Sequence, residues 1–218
     1  MAFSGSSASV ASLTGRDTNL ADLGASFVAI TPTPGTGIIG HAAPTTFDET
    51  KPYLALYNAG TSTIHPAYLR FHITVVGAAN TRVQYTLALD SGSNRRSSGG
   101  TALTINNTNM ASQVLSGASI YVGAVVAAAA STNRRVLGTV VMRGVIEVVE
   151  DTYTLNFGGP TLGLHASLAT AGTAVAHVAH GVAPVTIGPG QNLLVHQWSA
   201  SQRHGSTAAS RRWGLGSA

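Results

Sequence analysis

Two neighbouring runs carry the most regular pattern in the chain. In the first, Leu69, Phe71, Ile73 and Val75 alternate with Tyr68, Arg70, His72 and Thr74. In the second, Val83, Tyr85, Leu87 and Leu89 alternate with Arg82, Gln84, Thr86 and Ala88. A period of two predicts strands with one buried and one wet face. Gly77-Ala78-Ala79-Asn80 lies between the runs, so a short loop and an antiparallel pair are the simplest expectation. The wet face then presents Tyr68, Arg70, His72, Arg82 and Gln84 without a carboxylate. That makes it a candidate contact surface.

The same reading predicts strands at Ser26–Thr31, Tyr53–Asn58, Thr101–Asn106, Ser119–Ala129, Val136–Val149 and Thr152–Phe157. Val185–Ile187 and Leu193–Trp198 flank a Gly/Pro loop and predict two more. Asp90–Gly100 is polar, holds Arg95 and Arg96 in its middle, and predicts a protruding or intersubunit loop. Asn106–Asn109 predicts a turn, and residues 159–183 show no clear period. About ten short strands, with Gly/Pro connections and no long helical stripe, define an all-β chain. The architecture expected is an antiparallel β-sandwich of jelly-roll type. Residues 1–50 read as an extended N-terminal arm with a Pro/Gly-rich connection, 51–200 as the sandwich, and 201–218 as a polar tail. Trp213 in that tail suggests docking rather than free solvation.

Composition changes this picture in one respect. Only 9% of the 218 residues are Asp, Glu, Lys or Arg, against the usual quarter. So few charges leave little to keep a lone globule soluble, and much of the surface is expected to be covered by other subunits. The net charge is +4, from eleven Arg and one Lys against eight acidic residues. The Arg residues are scattered apart from Arg95-Arg96, Arg134-Arg135 and Arg211-Arg212, with no basic stripe interleaved with aromatics. Nucleic acid is therefore not an expected partner. There is no Cys, which excludes disulfides and thiolate metal sites. Ile120–Ala130 is the most apolar run but only about half a membrane span, so a buried strand is expected and no membrane partner. The N-terminus lacks a basic and apolar leader pattern, and synthesis in the cytoplasm without classical export is expected.

Candidate chemistry is sparse. His177 and His180 are three apart in a stretch that does not support a helix, and His65, His72, His165 and His196 keep no spacing to them. The His-x-His of a cupin-type metal site is missing, so neither metal nor other cofactor is expected. Asp48-Glu49 are sequence neighbours in a loop and lack a second acidic pair for acid–base work. Gly-x-Ser-x-Gly is absent, and no Gly-Lys-Ser/Thr closes the glycine-bearing Asp90–Gly100 segment. No catalytic residue is expected.

Several segments together carry a resemblance. They are Thr31–Gly37, Tyr53–Asn58, Arg96–Thr101, Asn106–Met110, Tyr153–Gly158, Ile187–Gly190 and His196-Gln-Trp198. Over roughly residues 30 to 200 the chain resembles a family of virion structural proteins of tailed bacteriophages. The resemblance implies a capsid cement (decoration) protein. Such a protein is a β-sandwich that forms homotrimers, binds the major capsid protein and sits on the capsid surface of a virion assembled in the host cytoplasm. The alternative it implies is a tail, head–tail adaptor or fibre-base subunit. Members of that family tend to end in an acidic, aromatic tail, whereas this chain ends in the basic Arg211-Arg212-Trp213. The candidate interface residues are Tyr68, Arg70, His72, Arg82, Arg95, Arg96 and Trp213. A carbohydrate-binding β-sandwich would need exposed aromatics, and Trp198 and Trp213 are the only tryptophans.

Overall fold

A computed structural model describes residues 20–33, 36–41, 46–73, 82–143, 151–158 and 177–200. The described strands are β1 (Phe27–Ile30), β2 (Leu54–Asn58), β3 (Tyr68–His72), β4 (Arg82–Ser91), β5 (Arg96–Ala102), β6 (Thr104–Asn107), β7 (Ala118–Ala127), β8 (Arg135–Arg143), β9 (Thr152–Phe157), β10 (His177–Val182) and β11 (Gln191–Ala200). They form a six-stranded sheet in the order β5-β7-β2-β11-β4-β8, a three-stranded sheet β10-β9-β3, and a separate pair β1-β6. The chain is an all-β sandwich. All pairings are antiparallel except β9 with β10, which run parallel. Jelly-roll connectivity is a finer expectation than the described pairings establish.

The two larger sheets face each other across one core. Leu54, Leu56, Tyr85, Leu87, Leu193 and Val195 come from the six-stranded sheet. Phe71, Tyr153, Leu155, Phe157 and Val178 answer from the three-stranded one. The Phe71 ring stacks on Tyr85 at 4.8 Å between centroids, and Tyr85 meets Tyr153 edge-on at 6.4 Å. Aromatic contacts of this kind add to area burial and fix how the layers sit.

The alternation predicted both strands of the opening pattern, but not their pairing. β3 and β4 belong to opposite layers, β3 against β9 and β4 between β11 and β8. Their short separation in sequence therefore marks a crossing between sheets, not a hairpin. The expected wet face survives on β3, where Tyr68, Arg70 and His72 are exposed around half-buried Leu69 and buried Phe71. It does not survive on β4. Tyr85 and Leu87 are buried on one face, and Thr86, Ala88 and Asp90 are buried on the other. β11 behaves alike, with Leu193 and Val195 inward and Asn192, Leu194 and His196 buried on the reverse face. Both strands are central, so both of their faces are covered.

The reverse face is covered by the loop before β2 and by the segment between β7 and β8. Phe47 packs on His196 at 4.9 Å, and Arg134 pairs with Glu49. His41 Nε2 lies 2.6 Å from the Val125 carbonyl oxygen, and Ala127 N–H donates to the Thr50 carbonyl. The segment expected as a protruding loop is partly strand. Arg96–Ala102 is edge strand β5 on β7, with register shifts at Arg96/Ser98 and Gly99/Thr101. Gly99 (φ +68) sits where a Cβ would stand 2.3 Å from the Ala124 carbonyl oxygen. The Ser/Gly run can follow β7 that closely because it has no side chain there. Val185–Ile187 contributes an isolated bridge from Ile187 to Ile64 rather than a strand paired with β11.

Candidate functional site

Two surfaces separate themselves from the core. The first is the outer face of the three-stranded sheet. Tyr68, Arg70 and His72 on β3 stand opposite Asn156, Thr154 and Thr152 on β9. His72 Nδ1 lies 3.2 Å from Thr152 Oγ1, which steadies the ring at the end of the row. Tyr68 remains 55% exposed. The β3 and β9 part of this face offers an aromatic, a guanidinium, an imidazole and neutral acceptors, with no carboxylate. An acidic or hydrogen-bonding partner suits it.

The second surface is the β1–β6 module. A helical turn at Leu20–Asp22 leads into it, closed by the Ala25 N–H donating to the Leu20 carbonyl at 2.7 Å. β1 pairs with β6 from Phe27↔Asn107 to Ile30↔Thr104. No residue of either strand is buried. Asn107 is the clamp. Its Nδ2 donates to the Gly24 carbonyl at 2.8 Å and to the Val114 carbonyl at 3.0 Å, while its Oδ1 accepts from Asn109 N–H at 2.9 Å. Asn109 Nδ2 donates to the Asp22 carbonyl at 3.0 Å, and Thr108 N–H to Ser26 at 3.0 Å. Gly24 (φ +67) allows the close approach, since a Cβ there would collide with Ser112. On this tied frame Leu23, Met110 and Leu115 stand 75%, 99% and 89% exposed, with Val28, Ile30 and Val114 also in solvent.

The other expected interface residues are placed differently. Arg95 turns inward. Its Nε is 3.0 Å from the fully buried Asp90 carboxylate, and its terminal nitrogen donates to the Ala128 carbonyl at 2.6 Å. Arg96 lays its guanidinium 3.7 Å over the Tyr121 ring and donates from Nε to the Gly99 carbonyl. Both side chains serve contacts within the subunit. The backbone of Arg82 opens β4 opposite Ala200. The Arg82 side chain, Trp213 and residues 1–19 and 201–218 lie outside the described residues.

Sequence reading missed the buried polar residues behind the six-stranded sheet. Asp90 accepts from the Ser131 hydroxyl and from Ser131 N–H, and is ion-paired with Arg95. Asn192 Oδ1 accepts from Arg95 N–H at 3.1 Å. Trp198 Nε1 donates to Thr86 Oγ1 at 2.9 Å, and Thr86 shares a hydrogen bond with Thr139 at 2.8 Å. His196 Nε2 donates to the Glu49 carbonyl at 3.2 Å. Burial pushes the His196 pKa below its ordinary value, partly opposed by the Glu49 and Thr86 carbonyls. Asp48, in the covering loop, is held down at about 2 by hydrogen bonds from Thr50 and by Lys51. These groups are engaged with one another and hold the loop to the sheet.

Among the described residues no three His, Asp or Glu are grouped to hold a metal, and no helix is long and apolar enough to cross a membrane. A cavity of about 260 Å³ lies between β8 and the end of β10, lined by Leu87, Thr139, Val140 and Val182 among others, without an ionisable side chain. No protein-family model, no curated protein and no solved structure matches the chain.

Proposed function

We propose that this protein is a non-enzymatic structural subunit of a bacteriophage particle. Its role in this reading is that of a cement (decoration) protein that self-associates and fastens onto the major capsid lattice. The observation that carries the proposal is the combination of a 9% charged composition with exposed apolar side chains on the hydrogen-bonded turns around β1–β6. A subunit that worked alone in water would have little reason to present Leu23, Met110 and Leu115 this way. The segments resembling virion structural proteins supply the kind of assembly.

The mechanism is mechanical. Apolar area removed from water between subunits contributes roughly 25 cal/mol per Å², set against the loss of rigid-body freedom. A repeating shell multiplies each modest contact through symmetry and effective concentration. The Tyr68, Arg70 and His72 row is assigned to the lattice, where carboxylates or carbonyls of another protein would complete it.

The test is reconstitution on particles stripped of accessory proteins, with copies counted by quantitative mass spectrometry. Saturable binding with hundreds of copies, and greater resistance of the shell to heat or osmotic shock, is the expected result. A copy number matching a single ring would move the subunit to the tail or the head–tail junction. Absence of any particle binding would end the structural-subunit reading.

A further inference from the structure

We infer that the β1–β6 module is the surface through which two copies of this chain meet. The inference deepens the structural-subunit reading, on which it rests for its division of labour: β1–β6 joins copies, and the β3 row faces the lattice.

Among the described residues the module stands incomplete. A two-stranded ribbon is marginal in water and needs a third strand or an apolar surface laid against it. Here residues on both faces of the ribbon are exposed or half-buried, and the two strands pair only with each other among the described residues. Val28 and Ile30 share one face of β1, opposite Asn106 and Thr104 of β6. Leu23, Met110 and Leu115 rise from the flanking turns. The Asn107 and Asn109 hydrogen bonds fix these turns in advance, so little order has to be gained on binding.

Charge selects the occupant. From Ser97 to Asn133 the sequence contains no Asp, Glu, Lys, Arg or His, and from Leu20 to Gly40 its only charged residue is Asp22. The net +4 of the chain therefore resides elsewhere. Two identical basic molecules approaching through the β3 row bring two cationic faces together, and like-charge juxtaposition disfavours that contact. Approaching through β1–β6 they bring together apolar surface whose one charged neighbour is Asp22 of the leading turn. An acidic partner would gain nothing there, because no cation answers it. A surface depleted in charge and rich in aliphatic side chains has the composition of the core of a homo-oligomer interface. The occupant that matches is a second copy, seated module against module, with the edges of β1 and β6 that stay unpaired among the described residues able to extend the ribbon across the contact.

The test uses the full chain. Wild type, Ile30→Glu, Met110→Glu and Arg70→Glu are compared by size-exclusion chromatography with light scattering and by sedimentation at micromolar concentrations, with circular dichroism and melting as folding controls. Met110 is almost wholly exposed, so Met110→Glu keeps the test decisive if Ile30→Glu fails to fold. Wild type is expected as an oligomer. Each module variant should weaken it at least about tenfold, with unchanged circular dichroism, while Arg70→Glu leaves it intact. A monomeric wild type, or a Met110→Glu protein that associates as tightly as wild type, overturns the inference. Binding to stripped particles is measured in parallel. Particle binding without module-dependent association refutes the self-contact alone. Module-dependent association without particle binding leaves the self-contact standing and refutes the shell assignment.

Discussion

Replacing Arg95 by Met probes the buried ion pair that locks the β4–β5 connection. The Asp90 side chain has 0% exposure and Arg95 12%, with Arg95 Nε 3.0 Å from the carboxylate. Removing one partner of a buried pair costs about 3–5 kcal/mol, because the remaining charge stays without compensation. Met retains most of the stem, so packing changes little. Two features temper the loss: Ser131 still donates to Asp90, and Arg95 N–H still donates to Asn192 Oδ1. One addition works against this, since the Ala128 carbonyl loses its guanidinium donor at 2.6 Å, worth about 1 kcal/mol. The expected loss is about 3 kcal/mol at pH 7.5. For a chain of this size that lowers the melting temperature by about 6–12 °C. Urea unfolding followed by tryptophan fluorescence measures it, alongside Asp90→Asn and the double variant. Asp90→Asn/Arg95→Met should recover part of the loss, because no buried charge is left behind. A loss below about 1 kcal/mol, or a double variant no better than Arg95→Met, would refute the view that Asp90 depends on Arg95.

Three further outcomes follow from the same structure. Gly99→Ala forces a Cβ to 2.3 Å from the Ala124 carbonyl oxygen at a φ of +68; it should cost about 1–3 kcal/mol in urea unfolding and loosen β5 by hydrogen exchange. Leu155→Ala removes a side chain with no exposure between the two sheets and should cost about 2–5 kcal/mol, read as a lower urea midpoint. Because burial depresses His196 from its ordinary 6.5, the unfolded chain binds more protons below that value. The stability tied to neutral His196 is thus complete above about pH 6.5 and is lost as pH falls through the depressed folded value. His196→Gln should flatten the stability-versus-pH curve across that range, and an unchanged slope would show that other groups set it.

Most strands were legible because burying one face imposes alternation, as at β3 and β9. Which strands pair was not, because pairing is decided by segments far apart in sequence: β2 finds β7 and β11, and β3 finds β9. Thr86, Asp90 and His196 sit at positions that local pattern assigns to solvent. Their burial follows from the central places of β4 and β11 and from a covering loop that carries no strand pattern. Arg96–Ala102 hides as a strand for the opposite reason. It lies at a sheet edge, mostly exposed, so nothing selects apolar residues there. The apolar tips at Leu23, Met110 and Leu115 read as isolated residues until Asn107 and Asn109 draw their turns together.

The central place of β11 bears on how the chain is made. It is the last described strand in sequence, yet it runs between β2 and β4 and pairs with β4 along its whole length. A chain emerging from the ribosome at about 5–20 residues per second holds β2 and β4 long before it holds their shared partner. The six-stranded sheet cannot close until then, and its inner strands wait with unpaired backbone edges and uncovered apolar faces. Contacts this distant in sequence also slow folding once synthesis is done. Chains made in quantity would accumulate first as incomplete sheets, exposed to mispairing with each other. Its yield in a cell would then depend on chaperone capacity and growth temperature, and not on the stability of the finished fold alone.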